Sequence, residues 1–204
     1  MAKKQKTTLD ILKDIQSYPN LDLNEEDINE GILQAEKEQG FELTDEQISL
    51  INEAYKWYNS NTGEQIFQYS APAGAGKSTV MHAIIDSLGL NDTEVAPMAY
   101  TGAATTIMRI NGFANACTIH SWLYCPVESY EQDPVTLKMI KRIKYVYKGI
   151  PQSQYKLICI DEGSMVPYHM KKDILRSGIK ILVCGDLNQL PPVKDKPAFL
   201  LEGK

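Results

Sequence analysis

Residues 70–79, SAPAGAGKST, carry the residue types that bind phosphate, in the order that binding needs. The short β-branched and aromatic run Gln65–Tyr69 precedes them and predicts a buried strand. Val80, Met81, Ile84, Ile85 and Leu88 follow on one helical face, with Gly89 as the stop. Gly74 and Gly76 let the backbone close around an anion. Ala73, Gly74, Ala75, Gly76, Lys77, Ser78 and Thr79 would then present amides at a helix N-terminus. Lys77 is expected to reach the β- and γ-phosphates, and the Ser78 hydroxyl to ligate Mg²⁺. Ala71 stands where the G-x-x-x-x-G-K-[ST] pattern has its first glycine. A glycine-rich turn that only joins strand to helix is the bland alternative.

Two further stretches supply acids and an amide. Leu157-Ile158-Cys159-Ile160 predicts an apolar strand ending in Asp161-Glu162. Asp161 is expected to hold the metal, directly or through water, and Glu162 to orient and deprotonate an attacking water. The alternative is an acidic pair that caps the next helix. Ile179–Cys184 predicts another strand, ending in Gly185-Asp186-Leu187-Asn188-Gln189-Leu190-Pro191-Pro192-Val193. The Gln189 carboxamide can donate to a γ-phosphate oxygen, and the prolines fix the turn beyond it.

These residues need a parallel sheet to gather them, because ligand groups collect at the carboxyl ends of its strands. The alternation of strands and helices predicts such a sheet with helices on both faces. Glu94–Tyr100 predicts another strand, which Pro97 pushes toward a sheet edge or an irregular end. Thr101-Gly102 turns into a small-residue helix, 103–108. Helices are expected from Leu9 to near Pro19, from Asn24 to Gly40 with Ile28, Ile32 and Leu33 on its apolar side, after Thr44 or Asp45, and from Pro167 to Arg176. The helix after Thr44 carries Ile48, Ile51, Ala54, Tyr55 and Tyr58 on one side. Residues 125–155, broken by Pro126 and Pro134, fit pieces of both helical and strand periodicities.

The 204 residues carry a net charge of −5, unevenly placed. Residues 1–64 have a net of −8 and residues 65–204 a net of +3, so the acidic total excludes no nucleic-acid surface. No apolar run approaches the roughly 18 residues that span a bilayer, and MAKKQKTT lacks a signal-peptide core. A cytoplasmic protein with no membrane partner is the expectation. Cys117, Cys125, Cys159 and Cys184 show no C-x-x-C spacing, and two sit in apolar stretches that read as core strands, which favours reduced buried thiols over zinc. Residues 1–40 read as an acidic helical appendage, and residues 41–204 as the main domain with a small insertion at about 125–155.

The motif set resembles the first RecA-like motor domain of superfamily 1 DNA helicases, in the RecD-like and Dda-like branch. LTDEQ resembles the Q motif, APAGAGKST motif I, AYTGAA motif Ia, CTIHS motif Ib, IDEGSM motif II and GDLNQLPPV motif III. The resemblance implies ATP and Mg²⁺ as cofactors and adenine contact by Gln47. It makes Gln189 the γ-phosphate sensor, and Thr101, Gly102, Thr118 and His120 a track for single-stranded DNA or a single-strand/duplex junction. It also implies 5′-to-3′ translocation. The family often has lysine where Ala103 stands, and alanine where Gly163 stands; the second difference is expected to matter little. Between motifs Ib and II the family inserts a wedge or pin, so the basic stretch 138–148 is either a DNA contact or a solvated face. In the family a second RecA-like domain follows motif III and brings an arginine finger. The expectation is a motor domain cut short of that partner, binding nucleotide weakly and not unwinding DNA alone. His82 and His169 are expected at the surface. A non-catalytic nucleotide- or DNA-binding module is the main alternative, and a small-molecule kinase a lesser one.

Overall fold

The computed structural model describes residues 28–30, 32–34, 36, 42–72, 74–186, 188–189, 191–192 and 195–199. The helix expected from Leu9 to near Pro19 lies outside them, as does the Gly40 stop. The chain forms two compact units, one of residues 1–63 and 78–90, the other of 64–77 and 91–204.

The first unit is helical. Residues 28–30, 32–34 and 36 are helical, with Ile28 and Ile32 buried and Leu33, expected on the apolar side, 53% exposed. Helix α1 (Asp45–Asn59) starts on a capping box. The Thr44 hydroxyl accepts from the Gln47 amide, and the Gln47 side chain accepts from the Thr44 amide. Ile48, Ile51, Ala54 and Tyr55 are buried as the periodicity predicts, and Trp57 joins them. Helix α2 (Lys77–Ser87) buries Val80, Met81, Ala83, Ile84 and Ile85. Gly89 ends it at φ 62°, and the Leu90 amide bonds back to the Ile85 carbonyl.

The second unit is built on a parallel sheet of β1 (Ile66–Ser70), β2 (Val95–Ala99), β3 (Cys117–Thr118), β6 (Leu157–Asp161) and β7 (Lys180–Gly185), in the order β1-β7-β6-β2-β3. Helices α3 (Gly102–Ile110), α4 (Ile119–Leu123) and α5 (Tyr168–Leu175) and a 3₁₀ turn (Gly163–Met165) complete the crossovers. Alternate residues Ala96, Met98, Ile158, Ile160, Ile181 and Val183 pack with Ile119 and Leu123 of α4 and Met170 and Ile174 of α5. The opposite set, Val95, Leu157, Cys159, Leu182 and Cys184, is buried as well. Strands buried on both faces explain why their sequences run apolar without alternation.

Pro97 does not lie at an edge. Strand β2 sits between β6 and β3 with all five residues buried, and Pro97 pairs with Cys159. Its carbonyl accepts from the Trp122 indole N–H at 3.0 Å. Pairing to β3 is limited to Met98 and Ala99, so the missing proline donor interrupts no ladder bond there.

The stretch that fitted two templates forms an antiparallel hairpin, β4 (Tyr124–Gln132) and β5 (Met139–Tyr147), with nine residue pairs. At its turn the Asp133 side chain accepts from the Val135 and Thr136 amides, each at 2.8 Å, and Leu137 adopts φ 58°. Its root is tied to α5. The Tyr124 hydroxyl donates to the Asp173 carboxylate at 2.6 Å, the Tyr147 hydroxyl donates to the Asp173 carbonyl at 3.2 Å, and Arg176 lies over the Tyr147 ring.

Candidate nucleotide and single-strand site

The loop after β1 takes the backbone shape that its glycines permit. Gly74 and Gly76 have φ of 79° and 77°, a region in which a Cβ is strained. Ala71 shows no positive φ, and its amide donates to the Gly185 carbonyl at 3.0 Å. Alanine in place of the first glycine is therefore accommodated in ordinary backbone. Ala73 lies outside the described residues. The Lys77 ammonium donates to the Ala71 carbonyl at 3.3 Å, across the concave side of the loop. Ser78 and Thr79 open α2 in the first unit, with Thr79 buried.

Three strands bring side chains into one row beside this loop. Tyr69 pairs with Cys184, and the β6–β7 register continues past Ile160–Val183 to set Asp161 beside Cys184. The Tyr69 hydroxyl donates to the Lys77 carbonyl at 3.0 Å. The Cys184 thiol donates to Asp161 Oδ1 at 3.1 Å, and the Glu162 amide donates to the same oxygen at 2.8 Å. Burial, then the charge of Asp161, pushes the Cys184 thiol far up. Burial first, then Cys184, does the same to Tyr69. Both groups stay protonated, as donors must.

Glu162 is held in a costly state. Its backbone is left-handed, at φ 55° and ψ 43°, one of two non-glycine residues of positive φ among those described. Its Oε2 is buried with no hydrogen-bond partner among the described residues, as is the Ser164 hydroxyl. An unpaired buried acceptor costs roughly 1–3 kcal/mol, and persistent strain of this kind marks functional positions. Gly163 turns out to matter. A Cβ there would collide with Val183 Cγ1 and lie 3.3 Å from the Cys184 carbonyl, so alanine would force the Val183 side chain or its strand to give way.

The remaining predicted residues fall into two groups. Gln189 closes a turn in which its amide donates to the Asp186 carbonyl, while the buried Asp186 carboxylate accepts from the Asn188 amide at 2.9 Å. Asp186 is thus a turn-forming residue that the Gly-Asp pair only hinted at. Gln47, in the first unit, spends its side-chain oxygen on the Thr44 amide. On the second unit, the register pairs Ala99 with Thr118, which brings Thr101, Gly102, Thr118 and His120 to neighbouring strand ends. Thr101 caps α3 and Thr118 caps α4 through their hydroxyls. Gly102 would meet nothing within 4 Å if it carried a Cβ, so its backbone is open to approach. His120 is exposed and its ring meets Tyr124 at a tilt and Tyr145 edge-to-face, at 4.9 and 4.4 Å between ring centroids. A cavity of about 500 Å³ opens there, lined by Tyr100, His120, Tyr124, Tyr145, His169 and Met170. Sequence reading found the histidine but not the tyrosines, which come from separate elements. His169 is exposed as expected and pairs with Asp195 at 2.8 Å, whereas His82 is half-buried.

Among the described residues, no three His, Cys, Asp or Glu side chains cluster as a metal cage. A lone carboxylate at a phosphate loop suits Mg²⁺, which keeps waters and substrate phosphates as its other ligands. No described helix is long and apolar enough to cross a membrane. The four cysteines are free thiols, Cys159 and Cys184 buried.

The family model described as "AAA domain" (AAA_30) matches residues 42–201. The ATP-dependent DNA helicase Pif1 of Psychrobacter sp. is 36% identical over 160 residues, which is 68% of this chain and 22% of that protein. The ATP-dependent RecD2 DNA helicase of Deinococcus radiodurans is 28% identical over 158 residues, 74% of this chain and 18% of that protein. A crystal structure of Pif1 helicase from Candida albicans superposes with a TM-score of 0.49 at 23% identity, over 77% of this chain and 36% of that one. The chain thus spans about a fifth of the length of the curated relatives it matches. On the match over residues 42–201, the chain belongs to the AAA_30 family of AAA domains, and its relatives are superfamily 1 helicases of the Pif1 and RecD2 kind.

Proposed function

We propose that this chain is the ATP-binding motor domain of an ATP-dependent DNA helicase, coupling ATP hydrolysis to movement along single-stranded DNA in the 5′-to-3′ direction. Lys77 and the amides of the 74–79 loop hold the phosphates, Ser78 and Asp161 hold Mg²⁺, and Gln47 contacts adenine by exchanging its bond to Thr44. Bound Mg²⁺ would neutralise charge developing on the β- and γ-phosphate oxygens. Glu162 accepts the proton of the attacking water, and Gln189 donates to a γ-phosphate oxygen. Thr101, Gly102, Thr118 and His120 take the DNA strand. A second RecA-like domain or chain supplies the arginine finger, worth roughly 10³–10⁵ in rate where measured.

The observation that carries this reading is Glu162. A carboxylate in strained backbone, its Oε2 buried and unpaired, stands directly after a strand-end aspartate whose Oδ1 is already engaged. A helix-capping role explains neither the strain nor the unpaired oxygen. The test is ATP hydrolysis by the purified chain, with and without single-stranded DNA, beside Glu162→Gln. DNA-stimulated turnover lowered at least 100-fold by the substitution, with ATP binding retained, is the expected result. Binding with no turnover in wild type and variant alike would mean a half-site that awaits the groups of the second domain or chain, and failure to bind ATP at all would overturn the reading.

A further inference from the structure

The metal reading leaves unexplained why a thiol stands at the end of the interior strand β7, in contact with the proposed metal-binding acid. Cys184 is 1% exposed and faces the same side of the sheet as Tyr69 and Asp161. Its Sγ lies 3.1 Å from Asp161 Oδ1. The Glu162 amide takes the same Asp161 oxygen from the chain side. Among the described residues, both hydrogen bonds to this carboxylate fall on Oδ1, so the group is gripped by one oxygen and oriented through it. A metal-binding carboxylate whose other oxygen is fixed by outer partners loses less freedom when it binds.

We propose that Cys184 is a positioning residue for Asp161. Its thiol, with the Glu162 amide, occupies Oδ1 and reserves Oδ2 for the hydrated divalent cation. Tyr69 does the corresponding work on the phosphate side of the row, by holding the Lys77 carbonyl. The two functions are neighbours but separable: Cys184 acts on the metal and Tyr69 on the loop. This rests on the reading of Asp161 as a metal ligand.

The test measures binding of a fluorescent ADP to the purified chain in Mg²⁺ and in EDTA, and the ratio of the two affinities. Wild type is expected to bind at least fivefold tighter with Mg²⁺. Cys184→Ala should bring that ratio below twofold while affinity in EDTA stays within twofold, because the loop is untouched. Cys184→Ser, which restores a donor, should recover most of the ratio. Tyr69→Phe keeps the ring and is expected to weaken binding in Mg²⁺ and EDTA by the same factor, leaving the ratio as in wild type. General damage to the fold would weaken both affinities in Cys184→Ala, so the split between them is the diagnostic readout. A Cys184→Ala protein that keeps the wild-type ratio would overturn the assignment. So would a Cys184→Ser protein that folds and loses it, a result readable even if Cys184→Ala does not fold. Equal binding by wild type in Mg²⁺ and EDTA would remove the metal reading, and this inference with it.

Discussion

The end of the central sheet and the β4–β5 hairpin are built from strands of the same second unit, yet they solve opposite problems. Strands β6 and β7 are buried along almost their whole length and present acids and a thiol at one end. The hairpin is exposed along most of both strands, with Val127, Tyr130, Ile143 and Tyr145 each between 44% and 61% exposed. Its pairing is held by backbone bonds and by exposed ion pairs such as Lys144–Glu131 at 2.6 Å. A two-stranded ribbon of this kind is marginal alone, so its root contacts to α5 must keep it in place. Close packing fixes the position of the site, whereas the hairpin is fixed at one end and otherwise bathed in solvent.

Substitutions should separate the two regions sharply. Ile160→Ala empties fully buried volume at 0% exposure and is expected to cost about 2–5 kcal/mol in urea unfolding. Ile143→Ala, on the hairpin at 58% exposure, should change stability by less than about 0.5 kcal/mol. Similar costs at both would show that the hairpin is packed against something else in solution. Gly163→Ala should cost about 1–3 kcal/mol, as overpacking does, and Val183→Ala in the same chain should return part of that loss. Strict additivity of the two in a double-mutant cycle would refute the collision. Tyr124→Phe removes one root bond and should cost about 1 kcal/mol. Amide exchange should quicken along 124–147 while β6 and β7 keep their protection. The smallest effect belongs to the hairpin turn, where the Thr136 and then the Val135 amides hold the Asp133 carboxyl below its ordinary value of 3.8. A lowered folded value means that the stabilisation is complete above the ordinary value and disappears as pH falls through the lowered one. The Val135 and Thr136 amide resonances should therefore titrate below pH 3.8. A midpoint at or above that value would remove the turn contact.

The same contrast explains what could be read from the residues in order. The loop at 74–79, the strand before Asp161 and the helix after Thr44 are local patterns, set by glycine conformation, apolar runs and capping chemistry. Those carried through to the folded chain. The hairpin did not, because alternating apolar and charged residues with no buried face satisfy neither template until two strands pair. Pro97 was misplaced because the penalty for a proline depends on which neighbour its missing donor would face, and β3 is only two residues long. Gly163 was underrated for a similar reason: Val183, which excludes a Cβ there, lies twenty residues away and meets it through strand order alone. Cys184 passed as an ordinary core thiol, since nothing in its own strand announces a hydrogen bond to an acid on the next one.

Helix α5 begins three residues after the turn that follows Glu162, and both tyrosines at the hairpin root end on its Asp173. Nine residues of strand at about 3.3 Å each make a ribbon about 30 Å long. A tilt of about 5° in α5 would swing the tip at Val135 through roughly 2–3 Å on such an arm. The two hydroxyls that hold the hairpin thus carry any tilt of that helix out to the far end of the ribbon.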